Sequence, residues 1–261
     1  MARIFAITNQ KGGVGKTTTT VNLAAGLAML GKRVLLIDLD PQGNATMGSG
    51  VDKREVTHTV YHLLLNQAKL AEVVRYSETA GYAVLAANRD LAGAEIELVG
   101  EHGREFRLRE ALAEVGEHYD YVLIDCPPAL NLLTVNALAA AHAVIIPMQC
   151  EYYALEGLTD LVNTVKKVKA GLNPAIEIEG LLRAMFDPRN TLAQQVSDQL
   201  KGHFGDKVYD TVIPRNVRVA EAPSYGLSAL AYDKASKGAQ AYLQLAKEII
   251  RREEGQHHGK A

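Results

Sequence analysis

A glycine-rich loop between an apolar strand and an amphipathic helix is the feature of this sequence that most restricts its fold. Residues 10–18 read Gln-Lys-Gly-Gly-Val-Gly-Lys-Thr-Thr and follow an apolar run at residues 4–7. Apolar residues then recur at helical spacing as far as Leu30, and Gly31 follows as a helix stop. This order of elements predicts a phosphate-binding cradle, because loop N–H groups and a helix N-terminus attract anions.

Two lysines in this loop indicate how the phosphates are held. Lys16 is expected to reach the β- and γ-phosphate oxygens, and the hydroxyl of Thr17 can bind Mg²⁺. The loop departs from the ordinary Walker A pattern, since Gln10 stands in place of the first glycine and Lys11 precedes Gly12. We interpret Lys11 as a cation that completes the phosphate site of a second subunit, as an arginine finger does in other phosphate-loop enzymes.

Composition narrows the class of protein. The 261 residues suit one large α/β domain or two small ones, and 48% hydrophobic residues provide a sizeable core. The formal net charge of −2 means that nucleic-acid binding has to come from a local patch. There is no cysteine pairing framework, no signal peptide, and no apolar run near the roughly 20 residues of a membrane span. We therefore expect a soluble protein of the reducing cytosol.

Strand-like and helix-like segments alternate along the chain, which predicts an α/β fold with a mostly parallel twisted sheet and helices on both faces. Further strands are predicted at residues 33–38, 82–86, 121–125, 143–147, 178–185 and 208–213. Further helices are predicted at residues 61–65, 104–116, 155–170, 192–203 and 235–252. No linker or repeat interrupts the pattern, so we expect a single domain over residues 1–254 and a polar, disordered tail over 255–261.

Acidic residues stand at strand ends, where parallel sheets gather their ligands. Asp125 closes an apolar strand in the Walker B pattern and is expected to hold Mg²⁺ through water while Thr17 contributes its hydroxyl. Taken alone, Asp125 could equally cap a helix before Pro127, but the phosphate loop at the same sheet edge favours the metal role. Asp40, in the loop after the second strand, is a better candidate than Asp38 to orient an attacking water.

Three motifs resemble those of the ParA/Soj family of partitioning ATPases, which carry a deviant Walker A loop. They are the loop at 11–18, Asp-Leu-Asp-Pro-Gln-Gly-Asn-Ala-Thr at 38–46 and Ile-Asp-Cys-Pro-Pro at 124–128. Further matches at 151–157, 212–218 and 221–223 extend the resemblance over almost the whole chain, from Ile4 to about Ile250. The resemblance implies a P-loop NTPase fold with ATP and Mg²⁺ as cofactors.

The same resemblance implies an ATP-dependent switch. ATP binding would join two monomers face to face, with Lys11 reaching the phosphates of the partner. The ATP-bound homodimer would bind double-stranded DNA without sequence preference, and a ParB/Spo0J-type centromere-binding protein would stimulate slow hydrolysis. Such a protein partitions chromosomes or plasmids, and it is expected in the cytoplasm on the nucleoid rather than on a membrane.

The resemblance also implies roles for single residues. Lys11, Lys16 and Asp40 would be catalytic, and any side chain at Gly12 would obstruct closure of the dimer. Asp125 would hold the metal through water together with Thr17. The nucleotide-binding set is Lys11, Gly12, Gly13, Val14, Gly15, Lys16, Thr17, Thr18, Pro214 and Asn216.

DNA binding is implied for Arg189 and Arg218. Interleaved acids dilute the basic character of residues 183–218, but dimerisation would double the patch. The segment at 182–186 departs from the family, since Arg183 stands where many relatives have Thr-Met or Leu-Thr, and residues 47–50 also vary.

Three alternatives stay open at this point. A MinD-like membrane-surface ATPase shares the phosphate loop, but the polar residues 251–261 lack the apolar face that such anchoring needs. An iron–sulfur reductase would need cluster ligands, and Cys126 and Cys150 do not stand where that family has them; we interpret both as buried small apolar residues. A transcriptional repressor would carry an added N-terminal DNA-binding domain, whereas this sequence begins a few residues before its first strand.

Overall fold

A single eight-stranded sheet organises the part of the chain that the computed structural model describes, residues 2–113 and 118–258. The strands are β1 (Arg3–Ile7), β2 (Val34–Asp38), β3 (Val74–Ser77), β4 (Tyr82–Leu85), β5 (Tyr121–Asp125), β6 (Ala143–Met148), β7 (Glu177–Phe186) and β8 (Val208–Pro214). Their order across the sheet is β3-β4-β2-β5-β1-β6-β7-β8. Neighbouring strands pair in parallel except β3, which pairs antiparallel with β4.

Helices connect the strands. They are α1 (Lys16–Met29), α2 (Asn44–Gly48), α3 (Val60–Leu64), α4 (Leu70–Val73), α5 (Leu91–Glu97), α6 (Arg107–Leu112), α7 (Leu132–Ala140), α8 (Ala154–Gly171), α9 (Thr191–Phe204), α10 (Val217–Glu221), α11 (Ala229–Tyr232) and α12 (Lys237–His258). Short 3-10 turns lie at Arg104–Phe106, Gly205–Lys207 and Ala222–Tyr225.

Each face of the sheet carries its own apolar core, because side chains alternate along a strand. In β1, Phe5 and Ile7 pack toward one face, where Leu23 of α1 and Leu245 of α12 join them. Ala6 packs toward the other face, whose core is completed by residues of α3–α9. The predicted α/β fold, mostly parallel with helices on both faces, is confirmed.

The predicted strands and longer helices lie within a few residues of the observed elements, whereas several short elements are absent from the sequence prediction. These are α2, α4, α5, α7, α10, α11 and the edge strand β3. The predicted helix at 104–116 begins as the 3-10 turn and continues as α6 to Leu112, and residues 114–117 lie outside the described residues.

The C-terminal tail differs from its prediction. α12 continues to His258, so residues 255–258 extend a helix where the sequence predicts a disordered tail. The preceding part of the helix is stabilised by an ion pair, since Arg252 pairs with Glu248 one turn earlier at 2.7 Å. Residues 259–261 lie outside the described part of the chain.

Strand register positions the functional edge of the sheet. Ile7 pairs with Asp125, and Asp125 pairs in turn with Asp38, so the ends of β1, β5 and β2 form one row. The loops that follow these strands therefore start side by side at the carboxyl edge. This row brings the phosphate loop next to both aspartates.

Side chains of α12 cover the edge strand β8. Glu248 is 5% exposed, and its two carboxylate oxygens accept hydrogen bonds from the backbone N–H groups of Asp210 and Thr211 at 2.8 and 2.9 Å. Arg252 donates to the carbonyl oxygen of Val208 at 3.2 Å and to Glu248. These bonds satisfy backbone groups that an edge strand would otherwise leave open to another chain.

We expect Glu248→Ala to lower the free energy of unfolding by about 2 kcal/mol, because two N–H groups and the Arg252 guanidinium lose a buried charged acceptor. Urea unfolding followed by circular dichroism measures the change. Lys247→Ala, at an exposed position of the same helix, is the control and should change stability by no more than about 0.5 kcal/mol. Equal unfolding midpoints for the two variants would show that the edge does not need Glu248.

Candidate nucleotide-binding site

The glycine loop joins β1 to α1 in a conformation that requires glycine. Gly13 has φ +73° and Gly15 has φ +91°, both in the left-handed region where a β-carbon is strained. Gly15 leads directly into the first turn of α1, whose initial N–H groups have no partners within the helix. Val14 is 1% exposed and anchors the loop in the core, so these free N–H groups stay in place for an anion.

Lys16 is a confined cation at the start of α1. Its side chain is largely buried, and Nζ donates to the carbonyl oxygen of Lys11 across the loop at 3.1 Å. Burial lowers the pKa of Lys16, although the nearby carboxylates of Asp125 and Asp40 act in the opposite direction. An ammonium group held in this way is positioned to bind a polyanion in the loop.

Asp125 is tied to α1 by two threonine hydroxyls. Thr17 Oγ1 donates to Asp125 Oδ2 at 2.7 Å, and Thr20 Oγ1 donates to Asp125 Oδ1 at 3.0 Å. Asp125 is fully buried, and burial followed by the charge of Asp38 raises its pKa to about 8. A divalent cation beside Asp125 would stabilise the ionised carboxylate against the cost of its burial. The hydroxyl and carboxylate oxygens are of the kind that Mg²⁺ binds. Sequence reasoning missed Thr20, although it stands one helical turn after Lys16.

The two acids that follow β2 differ in their surroundings. Asp38 is fully buried and accepts hydrogen bonds from the N–H and hydroxyl of Thr46 at 2.8 and 2.7 Å and from the N–H of Asp40 at 3.1 Å. Burial raises the pKa of Asp38 to about 6 despite these bonds. Asp40 lines the cavity beside the loop and accepts a hydrogen bond from the N–H of Gln42 at 2.9 Å. Asp40 is therefore the acid that faces the site, and Asp38 shapes the loop.

A cavity of about 460 Å³ lies over the loop. Its lining includes Asp40 and eight of the predicted nucleotide-binding residues, namely Gly12, Gly13, Gly15, Lys16, Thr17, Thr18, Pro214 and Asn216. Sequence reasoning assigned no role to the other residues that line it, namely Asn44, Pro128, Ala184, Met185, Ile213, Arg215, Val219, Ala220 and Tyr242.

No local sequence pattern predicts that Met185 lines the cavity. Its φ of +50° is rare for a residue other than glycine, and the pairing of β7 with β8 shifts register beside it. Gln149 bridges this residue to the phosphate loop, because its side-chain amide lies 3.6 Å from Met185 Sδ and 3.0 Å from the carbonyl oxygen of Gly13.

Lys11 and Gly12 lie in the exposed part of the loop. A β-carbon built on Gly12 meets no atom of the described residues within 4 Å. Lys11 is not part of the cavity lining, and its ammonium group pairs instead with Glu151 at 2.5 Å. The loop thus exposes its first half to solvent and buries its second half.

The two arginines predicted to bind DNA do not line the cavity. The side chain of Arg189 is 89% exposed and forms two hydrogen bonds with Asp187, at 3.0 and 2.9 Å. Arg218 pairs with Glu221 at 2.9 Å and with Asp233 at 3.5 Å. Both guanidinium groups are accessible, but each is already partnered by carboxylates of its own chain.

The sheet with its glycine loop, buried lysine and strand-end aspartate defines a nucleotide-binding protein of the P-loop class. A family model described as an AAA domain matches residues 2–178. The sporulation initiation inhibitor protein Soj of Bacillus subtilis is 55% identical over 95% of this chain and 98% of its own length. The chromosome partitioning protein ParA of Myxococcus xanthus is 51% identical, over 97% and 89%. The chain belongs to the ParA/Soj family of chromosome-partitioning ATPases.

A solved structure agrees with the fold. Cobyrinic acid a,c-diamide synthase from Mycobacterium smegmatis, crystallised with an ATP analogue and magnesium, matches with a TM-score of 0.85 and 37% identity. The match covers 97% of this chain and 96% of the synthase. Among the residues described here, no helix has the length and apolar character to cross a membrane.

Asp125 makes the stability of the nucleotide-free protein depend on pH in a predictable way. The unfolded chain ionises this acid above its ordinary pKa of 3.8, whereas the folded chain keeps the proton up to about pH 8. Folding therefore takes up a proton between these values, so the free energy of unfolding should fall as pH rises from about 5 to 8 and level off above. We expect Asp125→Asn to reduce this slope by up to about 1.4 kcal/mol per pH unit.

Urea unfolding without nucleotide or Mg²⁺, repeated across this pH range, measures the slope. Asp160→Asn, at an exposed position of α8, is the matched control and should keep the wild-type slope. An Asp125→Asn slope equal to that of the wild type would mean that the buried carboxyl does not retain its proton.

Proposed function

We propose that the chain is an ATP-dependent dimerisation switch that moves chromosomal or plasmid DNA. Membership of the ParA/Soj family supports the partitioning role. The observation that carries the switch is the position of Lys11. Its ammonium group lies outside the cavity of its own chain, next to an open position at Gly12, so its natural phosphate ligand belongs to a second copy.

The residues of the cavity fit ATP with Mg²⁺. Glycine N–H groups, the N-terminus of α1 and Lys16 supply positive potential for a triphosphate. Thr17 and Asp125 would hold the metal, Asp125 through water, and the cation would neutralise charge on the β- and γ-phosphates. Pro214 and Asn216 also line the cavity, and the base would lie beside them.

Hydrolysis would depend on positioning and on charge. The carboxylate of Asp40 lines the cavity and accepts the N–H of Gln42 through one oxygen, so its other oxygen would orient the attacking water. Lys16 would stabilise charge that develops on the phosphate from within the chain, and Lys11 of a second protomer would do so from across the interface. Turnover would stay slow until a ParB/Spo0J-type partner completes this arrangement.

The ATP-bound dimer would bind double-stranded DNA without sequence preference, and this would place the protein on the nucleoid. Arg189 and Arg218 are accessible cations for phosphate contacts, and a two-fold dimer presents each of them twice. The described residues give less support to the alternative of a membrane-surface ATPase, because residues 251–254 of α12 are two arginines and two glutamates.

Two variants test the switch from opposite sides. Gly12→Val should keep ATP binding but stay monomeric with ATP, because the added side chain has room in the free chain and would obstruct the approach of a partner. Asp40→Ala should accumulate as an ATP-bound dimer, because the contacts that hold ATP remain while the chemical step slows. Light scattering with ATP, ADP and no nucleotide measures both. An ATP-dependent dimer of Gly12→Val, or wild-type hydrolysis by Asp40→Ala, would contradict these roles.

The proposed DNA interface is tested by charge reversal. Arg189→Glu and Arg218→Glu should each weaken DNA binding by the ATP dimer and lower the salt slope by about 1.8, because each substitution removes a cation from both protomers and each removed phosphate contact accounts for about 0.9. ATPase activity without DNA should be nearly unchanged. Binding to two unrelated duplexes across a salt series measures the slope and the sequence preference.

Arg54→Glu is the matched control for Arg189, since Arg54 is also exposed and also pairs with an aspartate two residues earlier. This control should retain the wild-type slope. An unchanged slope in Arg189→Glu or Arg218→Glu would exclude that arginine from the DNA interface, and a strong preference for one duplex would contradict non-specific binding.

A further inference from the structure

The side chain of Lys11 is held by its own chain. Its Nζ lies 2.5 Å from Oε2 of Glu151, and the two side chains are 53% and 49% exposed. Neither residue lines the nucleotide cavity. The ion pair therefore keeps the ammonium group at the surface of the protomer and away from the phosphate site of that protomer.

The backbone of Lys11 is fixed independently of this ion pair. Its N–H donates to Asn9 Oδ1 at 3.0 Å, and its carbonyl oxygen accepts from Lys16 Nζ at 3.1 Å. Asn9 is held in turn by its bond to the carbonyl oxygen of Pro147 at 2.8 Å. The side chain of Lys11 can thus change partner by rotation alone, without movement of the loop.

Glu151 is presented by a segment that is itself bonded to the phosphate loop. Residues 149–153 connect β6 to α8, and the Gln149 side chain donates to the carbonyl oxygen of Gly13 at 3.0 Å. The carbonyl oxygen of Glu151 accepts from the N–H of Ala154, the first residue of α8, at 3.0 Å. These bonds set the distance between the carboxylate and Lys11.

We propose that Glu151 is a positioning residue for Lys11, which it holds within the free protomer and releases when a second copy presents nucleotide phosphates. This inference rests on the proposed dimerisation switch. The phosphates of a bound triphosphate carry more negative charge than one carboxylate, so a partner that carries a triphosphate would draw the ammonium group away from Glu151. Glu151 thereby sets how much ATP-bound protein is needed before dimers form.

The size of the expected effect on dimerisation follows from the exposure of the Lys11–Glu151 ion pair. One exposed ion pair contributes about 1.5- to 5-fold to an equilibrium. A symmetric dimer breaks two of them, so Glu151→Gln should tighten dimerisation by about 2- to 25-fold. The difference from the wild type should shrink at high salt, because exposed charges are screened.

The first experiment measures dimerisation by sedimentation, with a non-hydrolysable ATP analogue, for wild type, Glu151→Gln and Glu151→Asp. Glu151→Gln should dimerise at lower protein concentration, and Glu151→Asp, which keeps the charge, should stay nearer the wild type. Affinity for the analogue, measured in the Gly12→Val background, should be unchanged by Glu151→Gln. Glu156→Gln removes the same charge at an exposed position of α8 and is the control. Unchanged or weaker dimerisation of Glu151→Gln would overturn the proposal.

A second experiment does not need dimers. Competitive acetylation of the nucleotide-free protein, read by mass spectrometry, compares Lys11 with the exposed Lys247. Lys11 should react about 1.5- to 5-fold faster in Glu151→Gln, and an unchanged rate would overturn the proposal. If the wild type forms no dimer with the ATP analogue, the proposed switch fails, while the labelling rate still decides whether Glu151 holds Lys11.

Discussion

The hydrogen bonds from Thr17 and Thr20 to Asp125 are the contacts on which the rest of the site depends. They join the first turn of α1 to the end of β5, and the pairing of Asp125 with Ile7 sets where the intervening loop begins. Together with the packing of α1 against the sheet, they fix the helix N-terminus relative to the strand that carries the acid. The fold thus positions a cation, a hydroxyl and a carboxylate by main-chain register rather than by loop flexibility.

The loop divides into a buried half and an exposed half. The buried half begins at Val14, which packs in the core, and the left-handed Gly13 and Gly15 on either side of Val14 set the path of the backbone. The exposed half carries Lys11, whose side chain contacts a different element through Glu151. In the proposed switch, a rigid cradle beside a movable cation would separate nucleotide binding from subunit recognition, so that each could change without the other.

Local patterns predicted the parts of the site that lie on one element or at one strand end. The loop at 10–18 and Asp125 could be found because glycine spacing and a terminal acid are visible in sequence. The sequence alone could not fully assign the different roles of Asp38 and Asp40. Only the hydrogen bonds from Thr46 show that the carboxylate of Asp38 is used to hold the structure. Gln149 and Met185 were missed because their contacts come from different strands and from a backbone conformation that no spacing indicates. Short elements such as α2 and β3 depend on packing against the sheet more than on local propensity.

The row of strand ends that places Asp38 beside Asp125 has a consequence for the stability of the folded chain. Two buried acids next to each other oppose folding of the empty chain near neutral pH, and a ligand that binds only the folded chain offsets this through mass action. With ATP and Mg²⁺ as that ligand, nucleotide binding would stabilise the folded chain. Nucleotide-bound protein would then unfold, and be proteolysed, more slowly than nucleotide-free protein.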